Sequence, residues 1–215
     1  MKVYPVYLNR LHEKRTVLIG GDHEAERKAG ELLECDANIT LISETITPGL
    51  QELVEESRLE WIPRSYREGD LEDAFLVIVA EFEGDTNERV FKEADRRGIL
   101  VNVMDDIPHC SFTFGSMIKR GPLTLSISTS GAAPALAVRL RQRFEEEFGQ
   151  EYGRFLEFMQ TLRQPMAEEY PDFETRRKIW YELIDSDVLE LFRRGEDDAA
   201  VLLAAGIAGK EVVQQ

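Results

Sequence analysis

The first half of the chain alternates short, continuously apolar runs with stretches in which apolar residues recur every three or four positions. The runs "TVLI" (16–19), "NITLIS" (38–43), "AFLVIVA" (74–80) and "ILVNVM" (99–104) have strand length, and "LEWIPRSY" (59–66) reads as a short strand running into a loop. Between them, "DHEAERKAGELLECD" (22–36) sets Ala25, Ala29, Leu32 and Leu33 on one helical face. "TPGLQELVEES" offers Thr47 as an N-cap and Pro48 at the first helical position, and "DTNERVFKEADRRG" predicts a helix ending at Gly98. Strand and helix alternating over short connections predict a parallel sheet wrapped by helices. Strands this uniformly apolar fit a sheet covered on both faces. Residues 1–112 therefore read as a Rossmann-like α/β unit behind a loose N-terminal segment.

After residue 113 the pattern changes. "PLTLSIST" (122–129) alternates and predicts a strand, and "APALAVRLRQRFEEEFG" (132–149) predicts a helix with Leu136, Leu140, Phe144 and Phe148 at four-residue spacing. The remainder, 150–213, is helical in pattern throughout.

Composition narrows the class. Of 215 residues 43% are hydrophobic and 31% charged, which suits a globular chain with a substantial core. No apolar run approaches the roughly 20 residues of a membrane span, and the N-terminus lacks a signal-peptide core, so the expected address is the cytoplasm. A net charge of −15 argues against gripping nucleic acid. It also requires any pocket for an anionic ligand to be locally basic. Two cysteines, Cys35 and Cys110, are too few for a disulfide framework.

Three stretches carry candidate chemistry. "VLIGGDHEAERK" joins a strand, a glycine turn (Gly20, Gly21) and a helix start, the arrangement that holds a pyrophosphate on backbone N–H groups. A tight strand-to-helix turn in any α/β protein explains it almost as well. Glu44, about 24 residues after Gly20, has the spacing of a ribose-binding acid and equally that of a first-turn acid complementing a helix dipole. In "VNVMDDIPHCSFTFGS", Asp105 is the first residue beyond a strand's carboxyl end, where open parallel sheets bind ligands and where a carboxylate can serve as acid or base. Adjacent His109 and Cys110 do not by themselves make a metal site. In "SISTSGAAPALAVRLRQR", Ser128, Thr129 and Ser130 precede a helix and favour an anion, or Ser130 is simply its N-cap. Lys119, Arg120, Arg139, Arg141 and Arg143 cluster nearby, and Arg141 and Arg143 read most simply as partners of Glu145–Glu147.

In order along the chain, "YPVYLNRLHEKRTVLIGGDHEAERKAGELLECDANITLIS", "GDLEDAFLVIVA" and "VNVMDDIPHCSFTFGSMIKRGPLTLSISTSGAAPALAVRLR" resemble the sirohaem synthase family of precorrin-2 dehydrogenases and sirohydrochlorin ferrochelatases. The resemblance covers residues 4 to about 148 well and the helical tail loosely. It implies an NAD-binding Rossmann domain (1–112), an α+β dimerisation segment (113–148) and a small C-terminal helical domain (149–215). It further implies a homodimer whose partner segments complete each active site, and a tetrapyrrole substrate. Asp105 matches the family's catalytic aspartate, implicated in proton removal and in metal insertion; Fe2+ is the ion of the family's ferrochelatases, and the residues leave open whether iron, cobalt or nothing is inserted here. The same resemblance sets NAD against Gly20, Gly21, Asp22, His23, Ser43, Glu44, Ala80 and Glu81. A ring of substrate carboxylates gives the basic cluster a purpose, with Arg139, Lys119 or Arg120 and the Ser128–Ser130 turn holding them, and Phe112 and Phe114 covering a macrocycle face.

Two departures from the family pattern fall around the expected cofactor. The family's turn carries a third glycine where this chain has Asp22, and Glu81 and Phe82 stand where a small polar residue and an acid are usual. A carboxylate facing a phosphate repels it: two unit charges roughly 4 Å apart at an effective dielectric near 20 interact by about 4 kcal/mol. Three readings follow, in this order: an NAD-dependent precorrin-2 dehydrogenase with or without chelatase activity; a chelatase or tetrapyrrole-binding protein with a degenerate NAD site; a relative with neither activity.

Overall fold

The structure, a computed structural model, describes residues 2–80 and 84–213. Glu81 and Phe82 lie outside the described residues. The chain divides into two compact units, one spanning Tyr4–Thr113, the other Phe114 onward together with the first three residues.

The first unit is the expected α/β layer structure. Five parallel strands, β1 (Arg15–Ile19), β2 (Asn38–Ser43), β3 (Glu60–Pro63), β4 (Ala74–Val79) and β5 (Leu100–Val103), lie in the order β3-β2-β1-β4-β5. Period-two alternation sends neighbouring side chains to opposite faces. Leu18, Leu41, Leu76 and Ile78 meet Ala25, Ala29 and Leu32 of α1 (His23–Leu33) and Leu50 of α2 (Pro48–Glu55). Val17, Ile19, Val77, Val79, Val101 and Val103 meet Val90 and Ala94 of α3 (Gly84–Arg97), with Tyr66 and Leu71. Both faces are therefore covered, which is why the strands read as continuous apolar runs. Thr47 caps α2 as expected, its Oγ1 accepting from the Leu50 N–H at 3.2 Å with Pro48 following. The N-terminal segment forms neither helix nor strand before a 3-10 turn at Leu11–Glu13, and Tyr4, Val6 and Tyr7 are exposed.

The second unit opens with an antiparallel hairpin, β6 (Ser116–Arg120) and β7 (Leu123–Ile127). Of this pair the sequence pattern foresaw β7 alone. Gly121, at φ 53°, makes its turn. α4 (Pro134–Glu147) follows, then six helices: α5 (Glu151–Thr161), α6 (Arg163–Glu169), α7 (Phe173–Asp185), α8 (Val188–Arg194), α9 (Asp197–Ala208) and α10 (Lys210–Val213). Their core is Phe155, Met159, Leu162, Met166, Leu183 and Phe192, packed with Ala200, Ala204 and Ala208. Gly153 lets α5 close on the hairpin turn: a Cβ there would sit 3.1 Å from the Arg120 carbonyl carbon. No helix among the described residues is long and apolar enough to cross a membrane.

Candidate functional site

The strand order reverses between β1 and β4, so the ligand crevice of this fold lies beyond their carboxyl ends. Backbone pairing runs one residue past the strands on this edge. Gly20 N–H donates to Ile42 O (3.0 Å), Ala80 N–H to Ile19 O (2.8 Å) and Met104 N–H to Val79 O (2.9 Å). The turns after β1 and β5 thus leave from one well-ordered rim.

In the β1–α1 turn, Gly20 has φ 118°, a conformation open to glycine. Gly21 is required by close approach: a Cβ would lie 1.8 Å from the Thr45 carbonyl oxygen. Gly21 O also accepts from the Thr47 N–H at 3.1 Å, fastening the turn to the β2–α2 loop. Asp22 is the N-cap of α1. Its Oδ1 accepts from the Glu24 and Ala25 N–H groups, both at 3.0 Å. His23 begins the helix with an exposed ring 3.6 Å from Glu26. At the end of β2, the buried Ser43 donates its hydroxyl to Thr45 O at 2.6 Å, while Glu44 stands exposed and accepts from Ser65 Oγ at 2.5 Å. Ala80 is buried in the core. Backbone and Glu44 fit a dinucleotide, whose ribose would meet Glu44 and whose phosphates would meet the start of α1. Asp22 already holds two of the N–H groups a phosphate would take.

The β5 turn is built differently. Asp105 has φ 59°, the left-handed region that costs a non-glycine residue energy. It is exposed in the turn immediately beyond β5. The segments on either side are stitched together. Asn102 Nδ2 donates to Phe112 O at 3.0 Å, Ser111 Oγ accepts from Val101 N–H at 2.9 Å, and Cys110 Sγ accepts from Val103 N–H (3.3 Å) while donating to Val103 O (3.2 Å). Burial pushes the Cys110 thiol up, so it stays a neutral S–H suited to this work. Asp106 pairs with His109 Nδ1 at 2.7 Å, and the His109 ring packs edge-on against Phe91. His109 and Cys110 are thus spent on the turn. Phe112 leans on the core with Met104 and is partly buried, and Phe114 is partly exposed.

One polar residue escaped the sequence reading. Asn87 is buried at 7% exposure, and its Oδ1 has no hydrogen-bond partner among the described residues. It continues the stripe of Val90 and Ala94, which face the sheet, one turn nearer the strands' carboxyl ends. A polar residue at an apolar-stripe position was the available signal.

In the second unit, Ser130 does not cap α4. It sits at φ 53°, and its N–H donates to Ser128 Oγ at 3.1 Å. The helix begins later, at Pro134, and Thr129 Oγ1 accepts from the Ala133 N–H instead. Arg139 is exposed on α4. Arg120 is committed elsewhere, donating to Phe148 O (2.9 Å) and Lys119 O (2.9 Å), and Arg141 pairs with Glu145 as expected.

A nucleotide-fold crevice flanked by a glycine turn and a strand-end carboxylate defines a class of dinucleotide-binding proteins. Three family models tile the chain: "Putative NAD(P)-binding" over residues 8–116, "Sirohaem biosynthesis protein central" over 120–147 and "Sirohaem synthase dimerisation region" over 151–205. The chain belongs to the sirohaem synthase family, with its NAD(P)-binding module at residues 8–116. The dimerisation model falls on α5–α9, and the central model on the segment for which the resemblance implied dimerisation. A siroheme synthase of Thioalkalivibrio sulfidiphilus is 35% identical over 200 residues, 93% of this chain and 41% of its own length. One of Acinetobacter baylyi is 33% identical over 97% of this chain and 46% of its own. The chain thus spans less than half the length of these relatives. A solved structure of SirC, a precorrin-2 dehydrogenase, superposes with TM-score 0.74 at 23% identity, covering 90% of this chain and 98% of that one, and shares its fold.

Proposed function

We propose that this protein oxidises precorrin-2 to sirohydrochlorin in the cytoplasm, as a homodimer, with NAD as hydride acceptor. The observation that carries this reading is Asp105, a carboxylate held in a left-handed turn just beyond β5 by hydrogen bonds on both sides. Such strain persists only where surrounding structure enforces it, and it clusters at functional sites. The reaction removes a hydride and a proton from the macrocycle. NAD supplies the hydride acceptor when bound; Asp105 takes the proton. Glu44 accepts from a ribose hydroxyl, and Asn87 offers its unpaired Oδ1 to a ligand N–H or O–H. Phe112 borders the macrocycle, and Ser128, Thr129, Ser130 and Arg139 carry hydroxyl and guanidinium groups of the kind that bind carboxylates.

The match of residues 151–205 to a sirohaem synthase dimerisation region supports the dimer. The competing reading is insertion of Fe2+, as substrate, into sirohydrochlorin by Asp105 without oxidation. The Asp22 cap favours it, because it burdens the dinucleotide turn and leaves Asp105 untouched. Mixing the protein with sirohydrochlorin and Fe2+ without NAD separates the two. The dehydrogenase reading expects turnover of precorrin-2 with NAD; sirohaem formation alone, with precorrin-2 left unchanged, would replace it.

A further inference from the structure

We propose that the Asp22 side chain is a built-in competitor for the dinucleotide phosphate, so that cofactor affinity in this chain is set by displacing it. The proposal rests on the reading of the β1–α1 turn as a dinucleotide site and names the residue that regulates it. A helix of 11 residues presents its first N–H groups to an anion, and here a carboxylate of the chain itself has taken two of them, Glu24 and Ala25, at 3.0 Å each. No hydrogen bond among the described residues takes the N–H of Gly21 or His23, so an anion arriving at the turn finds part of its donor set and competes for the rest.

The backbone has little room to adapt. Gly21 lies so close to the β2–α2 loop that a Cβ would overlap Thr45 O, and the Thr47 N–H holds Gly21 O. The turn cannot retreat to admit a phosphate beside Asp22. Rotation of the Asp22 side chain out of the cap is the remaining route, and it gives up both hydrogen bonds. The rotated carboxylate then stays near the phosphate as a like charge, with Glu24 and Glu26 close by in the same first turn. A glycine at this position has neither cost.

The test is calorimetric titration of the full-length protein with NAD, beside Asp22→Gly, Asp22→Asn and Asp22→Ser. Asp22→Gly is expected to tighten NAD binding by about tenfold or more. Asp22→Asn keeps a capping oxygen but loses the charge, and should fall between the two. Asp22→Ser keeps a small neutral cap, guards against misfolding of the glycine variant, and should also exceed the wild type. Equal, measurable affinity in all four proteins would overturn the role of Asp22 while leaving the dinucleotide site standing. No binding by any of them would overturn both.

Discussion

The turns after β1 and after β5 leave the same rim of one sheet, yet they use their polar groups in opposite ways. After β1, the chain's own carboxylate turns inward onto helix N–H groups that a ligand would need. After β5, thiol, amide and hydroxyl groups satisfy the backbone so that the carboxylate of Asp105 stays outside, available to a ligand. The first turn spends an acid on stability; the second spends stability on an acid. The resemblance expected a glycine at position 22 in the first turn and a catalytic aspartate at position 105 in the second.

The sharpest way to break that contrast is Asp105→Asn. Asparagine tolerates the left-handed conformation as well as aspartate does, so the turn should hold while the proton acceptor is lost. Turnover of precorrin-2 should fall about 100-fold or more with an unchanged melting temperature, as kinetics and a thermal scan would show. An active Asn variant would remove Asp105 from the chemistry. Asn102→Leu attacks the stitching instead. It removes the amide bond to the Phe112 carbonyl, and denaturant unfolding should show a loss of about 1–3 kcal/mol together with a lower kcat. Asn87→Leu tests the orphan acceptor and should move stability and binding in opposite directions. Removing an unpaired buried oxygen should raise stability by about 1 kcal/mol, while binding of NAD or substrate weakens. The smallest effect on folding belongs to the β1 turn. Asp22→Gly should cost a few tenths of a kcal/mol and Asp22→Ala about 1 kcal/mol, since glycine is itself an acceptable cap.

The same contrast governs what could be read from the sequence. β1, β2, β4 and β5 were legible because burial on both faces leaves no polar alternation to confuse the pattern, and Thr47-Pro48 announced α2 by local rules. Asp22 was visible as a departure from a glycine motif, but its job as an N-cap follows from an equally local rule, an aspartate directly before a helix. Ser130 shows the reverse error. A serine before an apparent helix looks like a cap, yet the left-handed pair Ser130-Gly131 delays α4 to Pro134, and Ala133 stands at the N-cap with no side-chain cap bond. Asn87 was hidden because a single polar residue does not disturb the periodicity of α3. The tail read as helical, but its division into six short helices depends on tertiary packing around Phe155, Met166 and Phe192 rather than on local signals. Asp105 was legible as a strand-end acid; its backbone strain was not, since strain is a property of coordinates.

The most direct measurement is anaerobic incubation of the purified protein with precorrin-2 and NAD, following NADH and sirohydrochlorin together. Equimolar appearance of the two, absent in Asp105→Asn and faster at limiting NAD in Asp22→Gly, is the expected result. Persistence of precorrin-2 with no NADH formed by the wild type or by Asp22→Gly would contradict it.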